Sequence, residues 1–445
     1  MTIQLPEYVK TALSALENAG FEGYVVGGCV RDIHLGKTPE DWDITTNATP
    51  DEMLSVFRDF RVIPTGIKHG TLTVVIDGHN LEITTYRVDG EYTDNRRPES
   101  VTFSRNISED LARRDFTVNA LAYNEKTGVL DLYGGIHDLQ NGIIRCVGEP
   151  DKRFEEDALR IMRAIRFSSV LGFEIEEKTK QNIFKYADNL TSISAERISV
   201  ELIKLLSGKD VTKILMEYRD VIAVFIPELK KTFDFDQNNK HHIYTVYDHM
   251  AYSVGYAPNE PDVRLALLLH DIGKPDTYFT DKDGVGHFYG HGDVSAKITL
   301  PILKRLRLSR EMIDTVHTLV KYHDYPIEPS RKIVRRRLRK FGEPMLRKLM
   351  SVKVGDSKAH NPVYADRIKE IDEINAVIDS VINDGDCFDM KSLEISGGDL
   401  QKLGIESGPK LGEVLNKLLG EVVDGKLEND FDSLSARAEE LIKLI

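Results

Sequence analysis

Apolar positions fall into two textures along the chain. Up to residue 150, short β-rich runs (GYVVGG, TLTVVI, LEITTY, GIIRCV) lie among helical segments and turns marked by DG, GG and TG, a pattern that predicts an α+β domain. Beyond it the period lengthens. RFEEDALRIMRAIRFSSVL carries Leu159, Ile161, Met162, Ile165 and Phe167 at helical intervals, which predicts a helix with one buried face. Strand signals then almost vanish. A second change falls at 228–240, where PELKKTFDFDQNNK is polar and turn-rich before a helical region that contains many histidines. The last segment, ISGGDLQKLGIESGPKLGEVLNKLL, predicts a helix-turn-helix with Gly404, Gly408 and Gly412 around Pro409. The expected organisation is an α+β head over 1–150, an all-α neck over 151–230, a helical domain over 231–380 and a helical tail over 381–445.

Length agrees with several domains, because 445 residues exceed what one hydrophobic core organises. No run approaches the roughly 20 apolar residues that span a bilayer, and the start MTIQLPEYVK lacks a secretory layout. A cytoplasmic location without membrane contact is expected. Cys29, Cys146 and Cys387 show no CxxC spacing, so reduced thiols are expected rather than a disulfide framework or structural zinc. A net charge of −13 argues mildly against nucleic acid. Its distribution argues the other way: RKIVRRRLRK (331–340) and KRLRLSR (304–310) are strongly basic, and a nucleic-acid surface is preferred there over a solvated helical face.

Chemistry concentrates in the head. Tyr24–Val26 reads as a strand that enters Gly27 and Gly28 and then a helix carrying Arg31 and Asp32. Glycines at such a turn let backbone amides approach a phosphate. Downstream, DWDI places Asp41 and Asp43 two apart, so strand alternation puts both carboxylates on one face and Trp42 and Ile44 on the other. Like charges so close are unfavourable without a cation between them, and oxygen donors of this kind suit nucleotide-bound magnesium. Glu82 in LEITTYR adds a third carboxylate on an alternating strand. Three such groups would fix two metals about 4 Å apart, one activating a hydroxyl and one stabilising departing pyrophosphate. Taken singly, each of these acids is more often a turn or solvated strand residue.

Together they form a recognisable set. GG, an interval, then Asp-apolar-Asp-apolar resembles the polymerase β-like nucleotidyltransferase signature. ARRDFTVNA (112–120), RFEEDALRIMRAIRF (153–167) and SAERISVELIKLL with Glu196 and Arg197 resemble motifs of the class II tRNA nucleotidyltransferase and bacterial poly(A) polymerase family. The resemblance spans roughly 20–230. It implies addition of C, C and A to the 3′ end of tRNA from CTP and ATP. An A-adding enzyme or poly(A) polymerase is the alternative within the family. From other classes, the alternatives are an RNA-repair phosphohydrolase with a nucleotide-sensing head and a non-catalytic RNA-binding module. Asp157 and Arg160 are three apart on a predicted helix and share a face. One accepts only and the other donates only, an edge that matches cytosine and adenine but not uracil or guanine. The resemblance makes Arg163 and Arg166 nucleotide-facing too, with Gly28, Arg31 and Arg114 on the triphosphate, Asp115 on the ribose and Asn119 bracing the loop. VDGEYTDNRRPESVTFSRN resembles the family's flexible loop and favours full CCA addition.

LLLHDIGKP (267–275) resembles the metal-dependent HD phosphohydrolase superfamily. His249, His270, Asp271, His291, His323 and Asp356 follow its ligand order, which implies a second divalent metal. Either an active phosphohydrolase or a vestigial scaffold fits. His287 and His360 are expected at the surface, and His241 and His242 in a loop. LGIESGPKLGEVL resembles a helix-hairpin-helix phosphate clasp with Lys410, although a tight turn between packed helices is the favoured reading. Oligomeric state is not legible.

Overall fold

The computed structural model describes residues 3–89, 101–364 and 366–444, folded as two compact units, Met1–Pro227 and Glu228–Ile445. Most of the segment resembling the family's flexible loop, residues 90–100, lies outside the described residues. In the first unit the strands are β1 (Gly23–Val26), β2 (Asp43–Thr46), β3 (Arg61–Ile63), β4 (Thr71–Ile76) and β5 (His79–Thr85). There follow β6 (Arg87–Asp89), β7 (Val101–Phe103), β8 (Leu121–Asn124) and β9 (Gly128–Asp131). β6 and β7 pair with each other, and the rest form a seven-stranded sheet in the order β3-β4-β5-β2-β1-β8-β9.

Local chemistry sets this topology. The DG pair at Asp77 and Gly78, both with positive φ, closes the tight hairpin in which Ile76 faces His79. Thr49 and Glu52 form a capping box that starts the helix Pro50–Val56, which helps carry the chain across the sheet. The chain can therefore return through β3 and β4 to lay β5 parallel to β2; the sheet's other pairings are antiparallel. Ile44, Leu72, Val74, Leu81 and Ile83 are buried. Each such side chain contributes about 1.5–3 kcal/mol through its loss of contact with water, and together they lock the alternation that sends the polar partners outward.

The neck helix Leu159–Leu171 buries Leu159, Ile161, Met162, Ile165 and Phe167, as its period predicts. It packs on Ala195–Leu206 so closely that a Cβ on Gly208 would lie 2.0 Å from Ser169 Oγ. The helix predicted to run through 157 is interrupted there. Pro150–Glu156 ends at Asp157, whose backbone is extended (φ −142°, ψ 101°), and whose Oδ1 accepts from the Leu159 amide at 3.0 Å. An Asp side chain that bonds nearby amides offers the backbone an alternative to helix.

The second unit is mainly helical. Val246–Tyr256, Pro261–Leu269, His291–Arg305, Arg310–Tyr322 and Glu343–Lys358 surround the histidines. The tail helices Gly397–Lys402, Pro409–Val423 and Phe431–Ile442 share their own core, including Leu400, Val414, Leu418 and Leu434. The basic helix Arg331–Phe341 is already engaged within this unit. Arg331 pairs with Asp384 and Asp386, Arg335 with Asp386 and Arg336 with Asp424. Arg337 and Arg339 donate to the carbonyls of Pro326 and Asn416. These five guanidiniums lie against neighbouring carboxylates and carbonyls, and Arg331 and Arg336 are also exposed. Among the described residues no helix is long and apolar enough to cross a membrane.

Candidate active site

The parallel pairing of β2 and β5 puts Asp43 and Glu82 at the same register position. Both are exposed while Trp42, Ile44, Leu81 and Ile83 are buried, and Asp41, also exposed, lies just before β2. The three carboxylates therefore share one face. Their electrostatics fit a cation. Partial loss of water, then the charges of Glu82 and Asp41, push Asp43 up to about 6, and Arg114 opposes them. A divalent ion would relieve this repulsion, and an all-oxygen donor set is what magnesium prefers.

Beside the acids, Gly27 turns the chain with φ +80°, and a Cβ there would come within 3.1 Å of Arg114 Nη1. Arg114 thus lies over the double-glycine turn. Asp110, fully buried, holds Arg113 at 2.7 Å and Arg114 at 3.2 Å. Burial opposes its charge, but the two guanidiniums keep its carboxyl below the usual range. Asp110 was missed in the sequence, although DLARR spaces it one helical turn before both arginines.

A continuous network runs on from the glycine turn. Arg31 donates to Asn119 Oδ1 at 2.8 Å, and Asn119 Nδ2 donates to Asp115 Oδ1 at 3.1 Å. Asp115 Oδ2 accepts from Arg163 Nε at 2.7 Å. Burial would raise the Asp115 carboxyl, yet Arg163 and the Asn119 and Phe116 donors hold it at about 2. Glu201, a second buried acid missed in the sequence, forms an ion pair with Arg166 at 2.9 Å. Burial lowers the Arg166 guanidinium to about 10, with Glu201 opposing. Arg31, Arg163 and Arg166 gather round the Phe167 ring at 5.1, 5.4 and 3.8 Å from its centroid. This concentration of donors suits a polyanion.

Asp157 and Arg160 are not the helical i, i+3 pair that periodicity predicts, because the backbone breaks between them. Asp157 Oδ2 accepts from Arg197 at 2.7 Å. Arg160 is buried, pairs with Glu156 at 2.6 Å and donates to the carbonyls of Arg153 and Arg113.

In the second unit, all six histidine and aspartate positions singled out from the sequence converge. His249 Nε2 lies 2.9 Å from Asp356 Oδ1, His270 Nε2 3.2 Å from Asp271 Oδ2, and His291 Nε2 3.3 Å from Asp271 Oδ1. His323 Nε2 is 2.9 Å from His291 Nε2. Donor atoms lie within 4.8 Å of one another in three overlapping sets: His249, His270 and Asp271; Asp271, His291 and His323; and His242, His249 and His360. The expected surface place of His360 is thus corrected, while His242 lies in a loop, as expected, with its ring turned to this cluster. His360 is buried, its Nδ1–H donates to the Asp356 carbonyl at 2.8 Å, and its ring lies 4.5 Å from that of His242. Lys274, one helical turn after Asp271, was also missed; its Nζ is 2.6 Å from Asp271 Oδ2.

This donor set fits a metal dication. Burial lowers His249 and His323 towards the neutral, ligating form. Asp271 and Asp356 stay well below the carboxylate range despite burial, through His270 and Lys274 on the first and His360 and His249 on the second. Only His270 is shifted up, against burial, by the Asp271 and Asp356 charges. His270 Nε2 and both Asp271 oxygens have no well-formed hydrogen bond, as expected of atoms shaped for an ion. A cavity of about 370 Å³ opens on Asp271, lined also by Lys274, Tyr289 and Arg367.

Comparison with known proteins is consistent along the whole chain. Residues 23–145 match the family model described as "Poly A polymerase head domain", 172–233 a polymerase A site for RNA and SrmB binding, and 294–438 the second domain of tRNA nucleotidyltransferases. The CCA-adding enzyme of Leuconostoc mesenteroides is 37% identical over 99% of this chain and 98% of its own length. That of Limosilactobacillus fermentum is 35% identical over 98% and 97%. Among solved structures, the Bacillus stearothermophilus CCA-adding enzyme in complex with CTP is 27% identical with a TM-score of 0.74, covering 99% of both chains. The Thermotoga maritima enzyme complexed with tRNA-CCA, at 22% identity and a TM-score of 0.57 over 98% and 94%, shares the fold.

Proposed function

The chain belongs to the family of CCA-adding enzymes, and from that premise we propose how its own side chains divide the work. The protein is a template-independent tRNA nucleotidyltransferase that adds C, C and A to the 3′ end of tRNA from CTP and ATP, and enzymes of this kind use divalent metal. Asp41, Asp43 and Glu82 hold magnesium, and the observation that carries this is the Asp43–Glu82 register across β2 and β5. When bound, the ions lower the pKa of the attacking 3′-hydroxyl and stabilise the departing pyrophosphate. The hydroxyl oxygen bonds to the α-phosphorus of the nucleotide as the bond to pyrophosphate breaks. Gly28, Arg31 and Arg114 bind the triphosphate, Asp115 orients the ribose with Arg163, and Arg166 adds positive charge. Asp157, paired with Arg197, and Arg160, paired with Glu156, select the base through an acceptor and a donor that match C or A. Residues 1–150 serve as the head and 151–230 as the neck. The test is incorporation of CTP and ATP, separately and together, into tRNA lacking its CCA end. Loss of both additions in Asp43→Ala supports the assignment, and retention of either overturns it.

The histidine-carboxylate set of residues 231–380 supports a second activity, hydrolysis of a phosphoester by metal-activated water. His249, His270, Asp271, His291, His323 and Asp356 are its ligands, and residues 381–445 form a tail that supports tRNA. Release of phosphate that disappears in His270→Ala while CCA addition persists would establish it. A tRNA substrate and three buried cysteines without a disulfide support a cytoplasmic location.

A further inference from the structure

Asp110 joins the catalytic strand to two arginines. Thr45 lies one alternation along β2 from Asp43, so it projects from the face that carries the acids, and its Oγ1 donates to Asp110 Oδ2 at 3.3 Å. The same oxygen accepts from Arg114 Nη2 at 3.2 Å. Oδ1 accepts from Arg113 twice, from Nε at 3.0 Å and Nη2 at 2.7 Å. A carboxylate taken out of water is costly unless its lone pairs are filled, and these donors fill them. Anchoring the helix Ile107–Ala112 does not require that charge. Its neighbour Leu111 is already fully buried against Tyr24, Val26, Tyr86 and Ala122. What only a carboxylate supplies here is a hold on two guanidiniums, and two cations on one anion leave net positive charge beside the glycine turn.

We propose that Asp110 is a positioning residue for nucleotide addition: by holding Nη2 of Arg114 it aims Nη1 across the Gly27–Gly28 turn at the triphosphate. This deepens the reading of Arg114 as a triphosphate ligand and rests on it. Nη1 lies 3.1 Å from the point a Cβ on Gly27 would occupy, so the guanidinium is already over the turn. A guanidinium is a planar fork, and fixing one nitrogen fixes the directions of the others. Ordering the long side chain during folding spares that cost when the nucleotide binds. Asp110, fully buried and filled by its donors, acts through Arg114.

Two inhibitors of CTP incorporation by the full chain separate this role from a merely structural one. Inorganic tripolyphosphate carries the phosphates without base or sugar, and cytidine carries base and sugar without phosphates. In Asp110→Asn, which keeps the shape and loses the charge, the inhibition constant of tripolyphosphate and the KM of CTP and ATP should each rise about tenfold. The constant for cytidine and the KM of tRNA should stay at their wild-type values. Arg114→Gln should act in the same way, and the two substitutions combined should cost no more than Arg114→Gln alone. Thermal unfolding checks the fold. If Asp110→Asn does not fold, Asp110→Asn with Arg113→Gln, which removes one charge of each sign, is read in its place with the same rise expected. A tripolyphosphate constant that Arg114→Gln raises and the Asp110 variant leaves unchanged overturns the inference, as does an equal rise for cytidine. If Arg114→Gln itself leaves tripolyphosphate inhibition unchanged, the triphosphate role of Arg114 falls and the inference with it.

Discussion

The acids of β2 and β5 and the histidine cluster of the second unit both gather negative charge, but they handle it in opposite ways. In the head, three carboxylates lie on an exposed sheet face with Arg114 as the cation beside them, so Asp43 is driven towards its protonated form. In the second unit, Asp271 and Asp356 are buried but answered on every side by imidazoles and Lys274, and stay ionised. The first arrangement waits for ions that arrive with a substrate; the second is fully charged within the fold. Exposed acids on a rigid sheet cost little stability and serve chemistry, whereas a buried cluster is at once a site and a structural element.

Breaking each in turn should separate the two. Asp43→Ala should lower CTP incorporation by at least about 10²-fold while leaving the thermal midpoint unchanged or slightly raised, because it removes a repulsion. Asp271→Ala should do the reverse. It strands Lys274 and His270 without their partner, a loss on the order of 3–5 kcal/mol, visible in urea unfolding, with CCA addition retained under native conditions. Manganese should stabilise the wild-type second unit by about 2.7 kcal/mol at a hundredfold excess over Kd, read from urea unfolding, and should do nothing for Asp271→Ala.

Titration sharpens the contrast within the head. Asp43 holds its proton to about pH 6 when folded, against 3.8 unfolded. Between those values the folded state binds more protons, so stability of the metal-free protein should fall as pH rises from 4 to 6. Asp43→Asn or added magnesium should flatten that slope. Asp115 has the opposite sign: with a folded value of about 2, its stabilisation is complete above the unfolded value and is lost as pH drops towards 2. The smallest effect is expected of Arg336→Gln. Its guanidinium is exposed and occupied by Asp424, so neither the midpoint nor the salt dependence of tRNA binding should move measurably.

What the sequence revealed, it revealed through period. Alternation placed Asp41, Asp43 and Glu82 on one face, and the i, i+3, i+4 spacing of Leu159–Phe167 marked the neck's buried stripe. Pairing partners are a different matter: that β5 lies beside β2 rather than elsewhere depends on a crossover through β3 and β4 that no local pattern encodes. The break at Asp157 escaped notice because neither glycine nor proline marks it; an Asp side chain bonding a nearby amide does the work. His360 in KAHNP reads as a surface residue and His242 in NKHHIY as a loop residue, and only the packing of distant segments draws both to His249. The basic stretch at 331–340 is ambiguous for a related reason, since charge density reads the same whether the counter-charge is a phosphate or Asp386 and Asp424.

The shared row of Asp43 and Glu82 has a consequence for how the head tolerates change. Side chains along a strand alternate, so one inserted residue within β5 would swing Glu82 inward and Leu81 or Ile83 into water, ruining solubility and catalysis together. Two inserted residues would restore the oily side to the oily side while moving the acid one step out of line with its neighbour. Odd-length lesions should therefore yield insoluble protein and even-length ones folded but inactive enzyme.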